Sequence, residues 1–222
     1  PAFLEKMISR IETTNADLCG CGFYTYSPEG AKKAFSKFKE NNFIFNYLLG
    51  SNRLHTSTFL IKKELLDTHN IRFNEKINFG EDIEFFVKAA SHSKNNVLLK
   101  DYLTKYRIEF EDNRLSSFNF DKFEKDKNLI NSLIENSEIG LNQEVKDLLL
   151  NYRLPALLTY RFLSAFERNE SKTLIKKYYD LYADDINKYR FSLSYGLRAF
   201  KLAFAVRKLK RLLSTQCKMT DN

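Results

Sequence analysis

Strand-like segments are confined to the first half of this chain, and this asymmetry limits the folds available to it. Before residue 117, short apolar and β-branched runs alternate with segments of helical period. From Asp121 onward the apolar residues repeat at helical spacing and turn signals are few. The sequence therefore predicts an α/β fold, a partial mixed sheet with helices, followed by an all-helical C-terminal appendage.

The first half contains several elements that the local pattern defines. Phe3 to Ile11 is predicted as a helix, and Ala16 to Tyr26 as a strand that ends at the turn Ser27-Pro28-Glu29-Gly30. A short basic helix is predicted for Ala31 to Lys39. Further predictions are β-rich residues at Thr56 to Ile61, a helix at Lys62 to His69, and two strands at Val97 to Leu99 and Leu103 to Ile108.

The second half is predicted as four helices over residues 121–135, 143–168, 171–189 and 195–213. Pro155 should start, kink or divide the second of them, because proline cannot continue the hydrogen-bond ladder of a helix interior. The acidic pair Asp184-Asp185 falls within the third helix. We expect both of its carboxylates on a solvated face.

A second acidic pair, Glu81-Asp82, follows Gly80 at the point where an amphipathic helix should begin. Apolar residues then recur at helical spacing, at Ile83, Phe86, Val87 and Ala90. Free backbone N–H groups and the positive end of the helix dipole stabilise a carboxylate on a first turn. The pair is a candidate base or ligand, although first-turn acidic residues also serve only to stabilise a helix start.

The composition is that of a globular protein able to bury a core, with 43% hydrophobic and 29% charged residues. Of three cysteines, Cys19 and Cys21 should share one face of a strand but lie too far apart to bridge easily. No zinc site is expected, since Cys-x-x-Cys is absent and the three histidines are dispersed. Reduced thiols, with no signal peptide and no bilayer-spanning apolar run, predict a cytoplasmic protein.

The C-terminal end carries most of the net charge of +8. Residues 192–220 contain seven lysines and arginines and no acid, and Asp221 removes one charge, so residues 1–191 sum to about +2. A basic amphipathic helix over residues 195–213 suits an anionic membrane surface. The alternatives are an ordinary packed helix with solvated cations and, more weakly, non-specific nucleic acid binding.

A series of short motifs runs from residue 73 to residue 116. It consists of Phe73-Asn74-Glu75, Gly80-Glu81-Asp82 with Glu84 and Phe85, a strand, then Tyr102, Tyr106-Arg107 and Ser116. This series resembles the second half of a family 2 glycosyltransferase, and the resemblance covers roughly Pro1 to Ser117. It implies a GT-A-like fold. The chain departs from the family pattern in two ways. Glu109 stands where a histidine often follows the Tyr-Arg pair, and the first half of the family domain is missing.

The resemblance implies an inverting hexosyltransferase in which Asp82 is the catalytic base and Glu81 orients the site or contacts the acceptor. Substrate contacts are expected from five further residues: His55, Thr56, Ser57, Gly80 and Arg107. A divalent metal, Mg²⁺ or Mn²⁺, is expected in the full-length enzyme, with its main ligands outside this chain. Two alternatives stay open: an ordinary surface or satisfied loop position for His55, and an ion pair of Arg107 with Glu109 or Asp101.

The same resemblance implies a nucleotide-sugar donor and a saccharide or lipid-linked acceptor in surface polysaccharide or lipooligosaccharide synthesis, at the inner face of the cell membrane. Residues 1–117 would form the acceptor-side half of the enzyme domain, and residues 118–222 a helical region. Without the donor-binding half, the isolated chain is expected to be inactive. Two other classes stay open: a non-catalytic helical interaction or membrane-surface module, and a basic nucleic-acid-binding protein.

Overall fold

The computed structural model describes residues 2–108 and 118–220, with side chains described up to residue 215. The chain divides into two compact units, Pro1–Asn113 with Glu135–Asn142, and Arg114–Ile134 with Gln143–Asn222. Within the described residues the first unit combines a sheet with helices, and the second is helical. The predicted α/β class with a helical C-terminal region is therefore confirmed. The assignment of residues 1–117 as an acceptor-side half domain stays a prediction.

The sheet of the first unit is built around β1 (Leu18–Ser27). Both β2 (Gly30–Lys33) and β3 (Phe59–Ile61) pair with β1 in antiparallel orientation. β4 (Asn96–Arg107) runs parallel to β1, from Leu18 opposite Asn96 to Tyr26 opposite Arg107. The described strands thus form a mixed four-stranded sheet. The register between β1 and β4 shifts on both sides of Gly22.

One face of the sheet is covered by α1 (Ala2–Thr14), whose Met7 and Ile11 are buried. Cys19 and Cys21 point to this face and pack with them, as strand alternation requires. Both thiols are free. Burial raises the pKa of Cys19 to about 12 and that of Cys21 to about 11. The prediction that the two cysteines share a face without bridging is confirmed.

The other face is covered by α4 (Glu81–His92), with α2 (Phe43–Leu48) and α3 (Lys63–Thr68) beside it. Gly20 and Gly22 face this side, and a Cβ at either position would lie 2.9 Å from a side-chain atom of β4. The missing side chains therefore leave room above β1 for Leu98 and Tyr102 of β4. The cluster on this face comprises Leu18, Phe43, Leu65, Ile71, Phe85, Phe86, Ala89, Ala90 and Leu98.

The predicted helix at Ala31 to Lys39 is wrong. The turn after Ser27 sends the chain back along β1, and Gly30 at its end has a φ of 118°. The following residues pair with β1 as β2, and Ala34 N–H donates to Phe23 O at 3.0 Å. Long-range backbone pairing with the central strand outweighs the local helical preference.

The two predicted strands at Val97 to Leu99 and Leu103 to Ile108 are one strand, β4. The polar residues Lys100 and Asp101 interrupt the apolar pattern between them, but they do not end the strand. Asp101 forms an ion pair with Lys6 of α1. The register shifts near Gly22 accommodate the extra residues of β4 against the shorter run of β1.

The second unit begins its described residues with α5 (Asp121–Glu135), and α6 (Gln143–Leu148) leads into a π-helical turn, Leu149–Arg153. α7 (Leu154–Glu167) follows, with Pro155 in its first turn, which confirms that this proline divides the helix predicted over 143–168. α8 (Lys172–Asn187) and α9 (Leu197–Thr220) complete the unit. Its fully buried side chains include Phe123, Leu133, Leu148, Leu158, Phe162 and Ile175.

Asp185 does not lie on a solvated face as predicted. Its side chain is only 4% exposed, and its carboxylate pairs with Lys127 and Lys188, each at 2.7 Å. Burial raises the pKa of Asp185, but the two lysines outweigh burial and hold it below its usual value. The neighbouring Asp184 is exposed, as expected. The carboxylate of Asp185 therefore has a structural role within the second unit.

Candidate functional site

The acidic pair lies where the sequence predicts it, at the start of α4. Gly80 precedes the helix in the left-handed conformation, with φ 77° and ψ 7°, which glycine adopts without a Cβ penalty. Asp82 Oδ1 accepts the backbone N–H of Ile83 at 2.8 Å. One free backbone donor of the first turn is thereby satisfied by the carboxylate.

Asp82 belongs to the stripe of α4 that faces the sheet. It stands three, four and seven residues before Phe85, Phe86 and Ala89, and these positions share one side of a helix. The three apolar side chains are buried. Glu81 likewise stands four and eight residues before Phe85 and Ala89, so both carboxylates border this stripe. Asp82 is distinguished from Glu81 by its contact with Thr56.

Thr56 meets Asp82 across 26 residues of sequence. Its hydroxyl donates to Asp82 Oδ2 at 3.4 Å, a long hydrogen bond. Thr56 opens a single 3₁₀ turn, Thr56–Thr58, whose N-cap is His55. In this cap the Thr58 hydroxyl accepts the His55 backbone N–H at 3.0 Å. The capped turn fixes Thr56 beside the helix start.

His55 lies against two aromatic rings. Its imidazole centroid is 4.3 Å from that of Tyr106 and 5.7 Å from that of Phe23. Burial lowers the pKa of His55, and the nearby charge of Asp82 opposes this shift only in part. Nδ1 accepts the Ser57 backbone N–H at 3.3 Å. The neutral imidazole thus carries its proton on Nε2, as a hydrogen-bond donor.

Ser57 supports His55 and is not directed at Asp82. Its hydroxyl lies 3.1 Å from His55 Nδ1, and its backbone N–H donates to the same atom. Arg107 is exposed at the end of β4. Side chains alternate along a strand, so Arg107 leaves the face opposite to that of Tyr106. Asp101 pairs with Lys6, and Glu109 and Ser116 lie outside the described residues.

Two aromatic residues of the site, Phe23 and Tyr106, are not among the site residues that the sequence predicts. Tyr106 belongs to the Tyr-Arg pair, which was a signal for it. No sequence signal distinguishes Phe23 from the other phenylalanines of the chain. The guanidinium of Arg53 lies over the Phe23 ring, 5.8 Å from its centroid. The site therefore combines an aromatic wall, an imidazole N–H donor and a carboxylate.

The site lies toward the carboxyl ends of the two parallel strands. Phe23 is in the second half of β1, and Tyr106 is the penultimate residue of β4. In open α/β sheets, ligands bind outside the carboxyl ends of the strands. Among the described residues, no group of three or more His, Cys, Asp or Glu has a geometry that could hold a metal ion.

Solved structures similar to this one include those of TarS from S. aureus, a glycosyltransferase, and the fold is in this sense glycosyltransferase-like. TarS 1-349 in complex with UDP matches with a TM-score of 0.55 and 15% identity, over 97% of this chain and 62% of that one. The same protein in complex with UDP-GlcNAc matches with a TM-score of 0.55 and 16% identity, over 97% of this chain and 63% of that one. A further crystal structure of TarS matches with a TM-score of 0.51 and 16% identity, over 93% of this chain and 35% of that one.

The chain thus spans less than two thirds of the length of these TarS structures. At such identities the likeness establishes the fold alone. No family model matches the chain, and no curated protein sequence matches it. None of the helices in the described part of the chain combines the length and the apolar composition that a bilayer crossing requires.

Proposed function

We propose that this chain is part of a glycosyltransferase that moves a sugar from a nucleotide-sugar donor to a saccharide or lipid-linked acceptor. One observation carries the proposal: Asp82 faces the sheet beside Thr56 and His55, at the carboxyl ends of the parallel strands. A fold alone does not define an activity, so the proposal rests on this site. The resemblance to family 2 enzymes adds the GT-A fold, an inverting reaction and a role in surface polysaccharide or lipooligosaccharide synthesis.

In the proposed reaction an acceptor hydroxyl attacks the anomeric carbon of the donor. A new C–O bond forms as the bond to the diphosphate breaks, and the nucleoside diphosphate leaves with the bonding electrons. Asp82 takes the hydroxyl proton, which requires a carboxylate oxygen within hydrogen-bond reach of it. Thr56 positions that carboxylate through its contact with Oδ2.

The remaining residues of the site are proposed to bind the substrates. The Nε2–H of His55 is a donor for a sugar hydroxyl, and the Tyr106 ring is a stacking surface for a sugar face. Glu81 contacts the acceptor, and Gly80 lets the substrate approach the backbone. Ser57 supports His55. Arg107 is proposed to contact diphosphate oxygens beyond the end of β4, because its side chain leaves the strand on the face opposite to Tyr106. Mg²⁺ or Mn²⁺ remains part of the proposal, with its main ligands outside this chain.

The test of the base is Asp82→Asn in the protein encoded by the complete reading frame. We expect kcat for transfer from UDP-GlcNAc to fall by about 10²- to 10⁴-fold, because the amide cannot accept the proton. KM for the donor should change little. Thr56→Val should lower kcat by roughly tenfold through loss of one hydrogen bond. Transfer of labelled sugar to a lipid-linked saccharide fraction is the measurement.

Glu64→Gln is the matched control, because Glu64 is an exposed acid in the first turn of α3 and lies outside the motif series. It should retain the parent's kcat. Circular dichroism and thermal unfolding of all variants establish that the fold is intact. Parent-like transfer by Asp82→Asn would exclude the base assignment. Absence of transfer in the parent itself would favour the non-catalytic interaction module instead.

A further inference from the structure

The apolar residues of α9 divide into two faces that the sequence pattern does not distinguish. One face packs into the second unit through Ala199, Leu202, Ala205, Leu209 and Leu213, each at most 8% exposed. These residues recur at three- and four-residue intervals, so they form one stripe of the helix. The stripe accounts for the packing of α9 within its own unit.

The opposite face carries large apolar side chains that the core does not use. Leu197 is 78% exposed, Phe200 56% and Phe204 73%. They stand at positions i, i+3 and i+7, which places them on one side of the helix. Phe191 packs edge-on against Phe200, with ring centroids 4.9 Å apart. We call Phe191, Leu197, Phe200 and Phe204 the α9 patch.

A groove adjoins the α9 patch. Its volume is about 610 Å³, and Tyr160 and Leu163 of α7 line it opposite Phe200 and Phe204. Tyr160 is itself half exposed. Contiguous exposed apolar surface of this kind marks an interaction site, because a lone exposed apolar residue needs no partner but a cluster does.

The exposed face of α9 continues into cations. Arg207 follows Phe200 by seven residues and Arg211 follows Phe204 by seven, so both lie in line with the patch. Both are exposed, as are Lys201 and Lys208. Residues 192–220 contain no acid, although Glu167 of α7 lies 3.7 Å from Lys208. The face therefore presents apolar side chains followed by positive charge.

We infer that the α9 patch docks the protein on an anionic lipid bilayer, with α9 lying in the plane of the surface. Leu197, Phe200 and Phe204 enter the boundary between headgroups and acyl chains, and Arg207 and Arg211 contact lipid phosphates. Charge complementarity selects this partner, since an anionic bilayer offers an apolar layer for the exposed rings and phosphates for the adjoining cations at the same surface. The buried stripe keeps α9 folded onto its unit throughout.

Flotation of the chain with lipid vesicles tests the inference, and it does not depend on transfer activity. We expect binding to vesicles of phosphatidylcholine mixed with phosphatidylglycerol, and much weaker binding to phosphatidylcholine alone. Phe200→Ser with Phe204→Ser should lower the partition coefficient about tenfold or more. Arg207→Gln with Arg211→Gln should lower it about tenfold on anionic vesicles only, and added salt should reduce the parent to the same level.

Leu181→Ser is the matched control, because Leu181 is a 62% exposed leucine of α8 outside the patch. It should bind vesicles as the parent does. Unchanged thermal unfolding shows that the variants with Phe200→Ser and Phe204→Ser, and with Leu181→Ser, are folded, as expected for substitutions at exposed positions. Equal vesicle binding by the parent and by the variant with Phe200→Ser and Phe204→Ser overturns the inference. The inference is also overturned if the parent does not bind vesicles but self-associates, and if these two substitutions abolish the self-association. That result would assign the patch to a second copy of the chain.

Discussion

At the scale of single residues, the histidine pair His69 and His92 links pH to stability. The two imidazole rings stack with centroids 4.3 Å apart and planes 20° apart. Burial lowers the pKa of His92, and the positive charges of His69 and Lys88 lower it further. Glu138 acts in the opposite direction but does not compensate. The folded protein therefore favours the neutral form of His92.

The sign of the pH dependence follows from this shift. A histidine whose pKa is lower in the folded state binds more protons when unfolded. Its stabilising effect is present above the ordinary pKa of 6.5 and is lost as the pH falls through the lowered value. We predict that the free energy of unfolding decreases between about pH 7 and about pH 5, and that His92→Gln makes this decrease shallower. Urea unfolding at several pH values is the measurement.

Resonances of the three histidines give an independent check by nuclear magnetic resonance. His69→Gln removes a like charge and should raise the pKa of His92. The pKa of His55 should stay unchanged, because the charge that acts on it is that of Asp82. A parent His92 that titrates at or above 6.5 would contradict the prediction.

At the scale of elements, the contact between β1 and β4 depends on Gly22. A Cβ at this position would lie 2.9 Å from the Tyr102 ring and 3.1 Å from the Phe38 ring. The two rings themselves meet edge to face at 5.8 Å. Real Cβ contacts are not this close, so any side chain at residue 22 must displace an aromatic ring beside the register shift.

We predict that Gly22→Ala lowers the free energy of unfolding by about 1–3 kcal/mol, the usual cost of overpacking a core. Tyr102→Leu removes ring atoms from the contact. The double variant Gly22→Ala with Tyr102→Leu should therefore be more stable than the sum of the single effects implies. Urea unfolding of the four proteins measures the coupling, and strict additivity would show that the two residues do not compete for space.

The elements that depend on local chemistry could be predicted from the sequence. α4 begins directly after Gly80, and its apolar period is complete within twelve residues. Pro155 likewise marks the division of a long helix. The helix predicted at 31–39 failed because β2 obtains its hydrogen bonds from β1 and not from its own segment.

The candidate site could be predicted only in part, for the same reason. Glu81-Asp82 is recognisable because both residues belong to one helix start. The meeting of Thr56 with Asp82 depends on how a 3₁₀ turn is carried past a helix 26 residues later, and no local pattern contains that information. The contact of Phe23 with His55 depends on register within the sheet. Outside the site, the burial of Asp185 could not be predicted for the same reason, because one of the two lysines that pair with its carboxylate comes from α5.

At the scale of the whole molecule, the positive charge lies in two parts of the chain. Residues 1–108, which contain the proposed catalytic residues, hold 16 lysines and arginines and 12 acidic residues, a net charge of +4. Residues 192–220 hold seven cations and no acid, and residues 109–191 are slightly negative. Within the first part, the Arg53 guanidinium lies over the Phe23 ring of the candidate site.

We predict that residues 1–222 alone release no UDP from UDP-GlcNAc, whereas the product of the complete reading frame transfers the sugar. The reason is that the chain covers 62% of the TarS structure in complex with UDP, and that the proposal places the main metal ligands outside this chain. The first measurement is the sequence of the gene immediately upstream of the Pro1 codon. An in-frame nucleotide-binding unit would support the prediction, and turnover by residues 1–222 would refute it.

The two faces of α9 also differ in what natural variation can do to them. Substitutions in the buried stripe change packing volume, so selection for a folded unit restricts them. Substitutions at Leu197, Phe200 or Phe204 leave that packing untouched. Membrane attachment and the packing of α9 therefore depend on different residues of one helix. Homologous chains can gain, lose or change their membrane attachment through substitutions at a few exposed positions, while the fold that carries Asp82 stays the same.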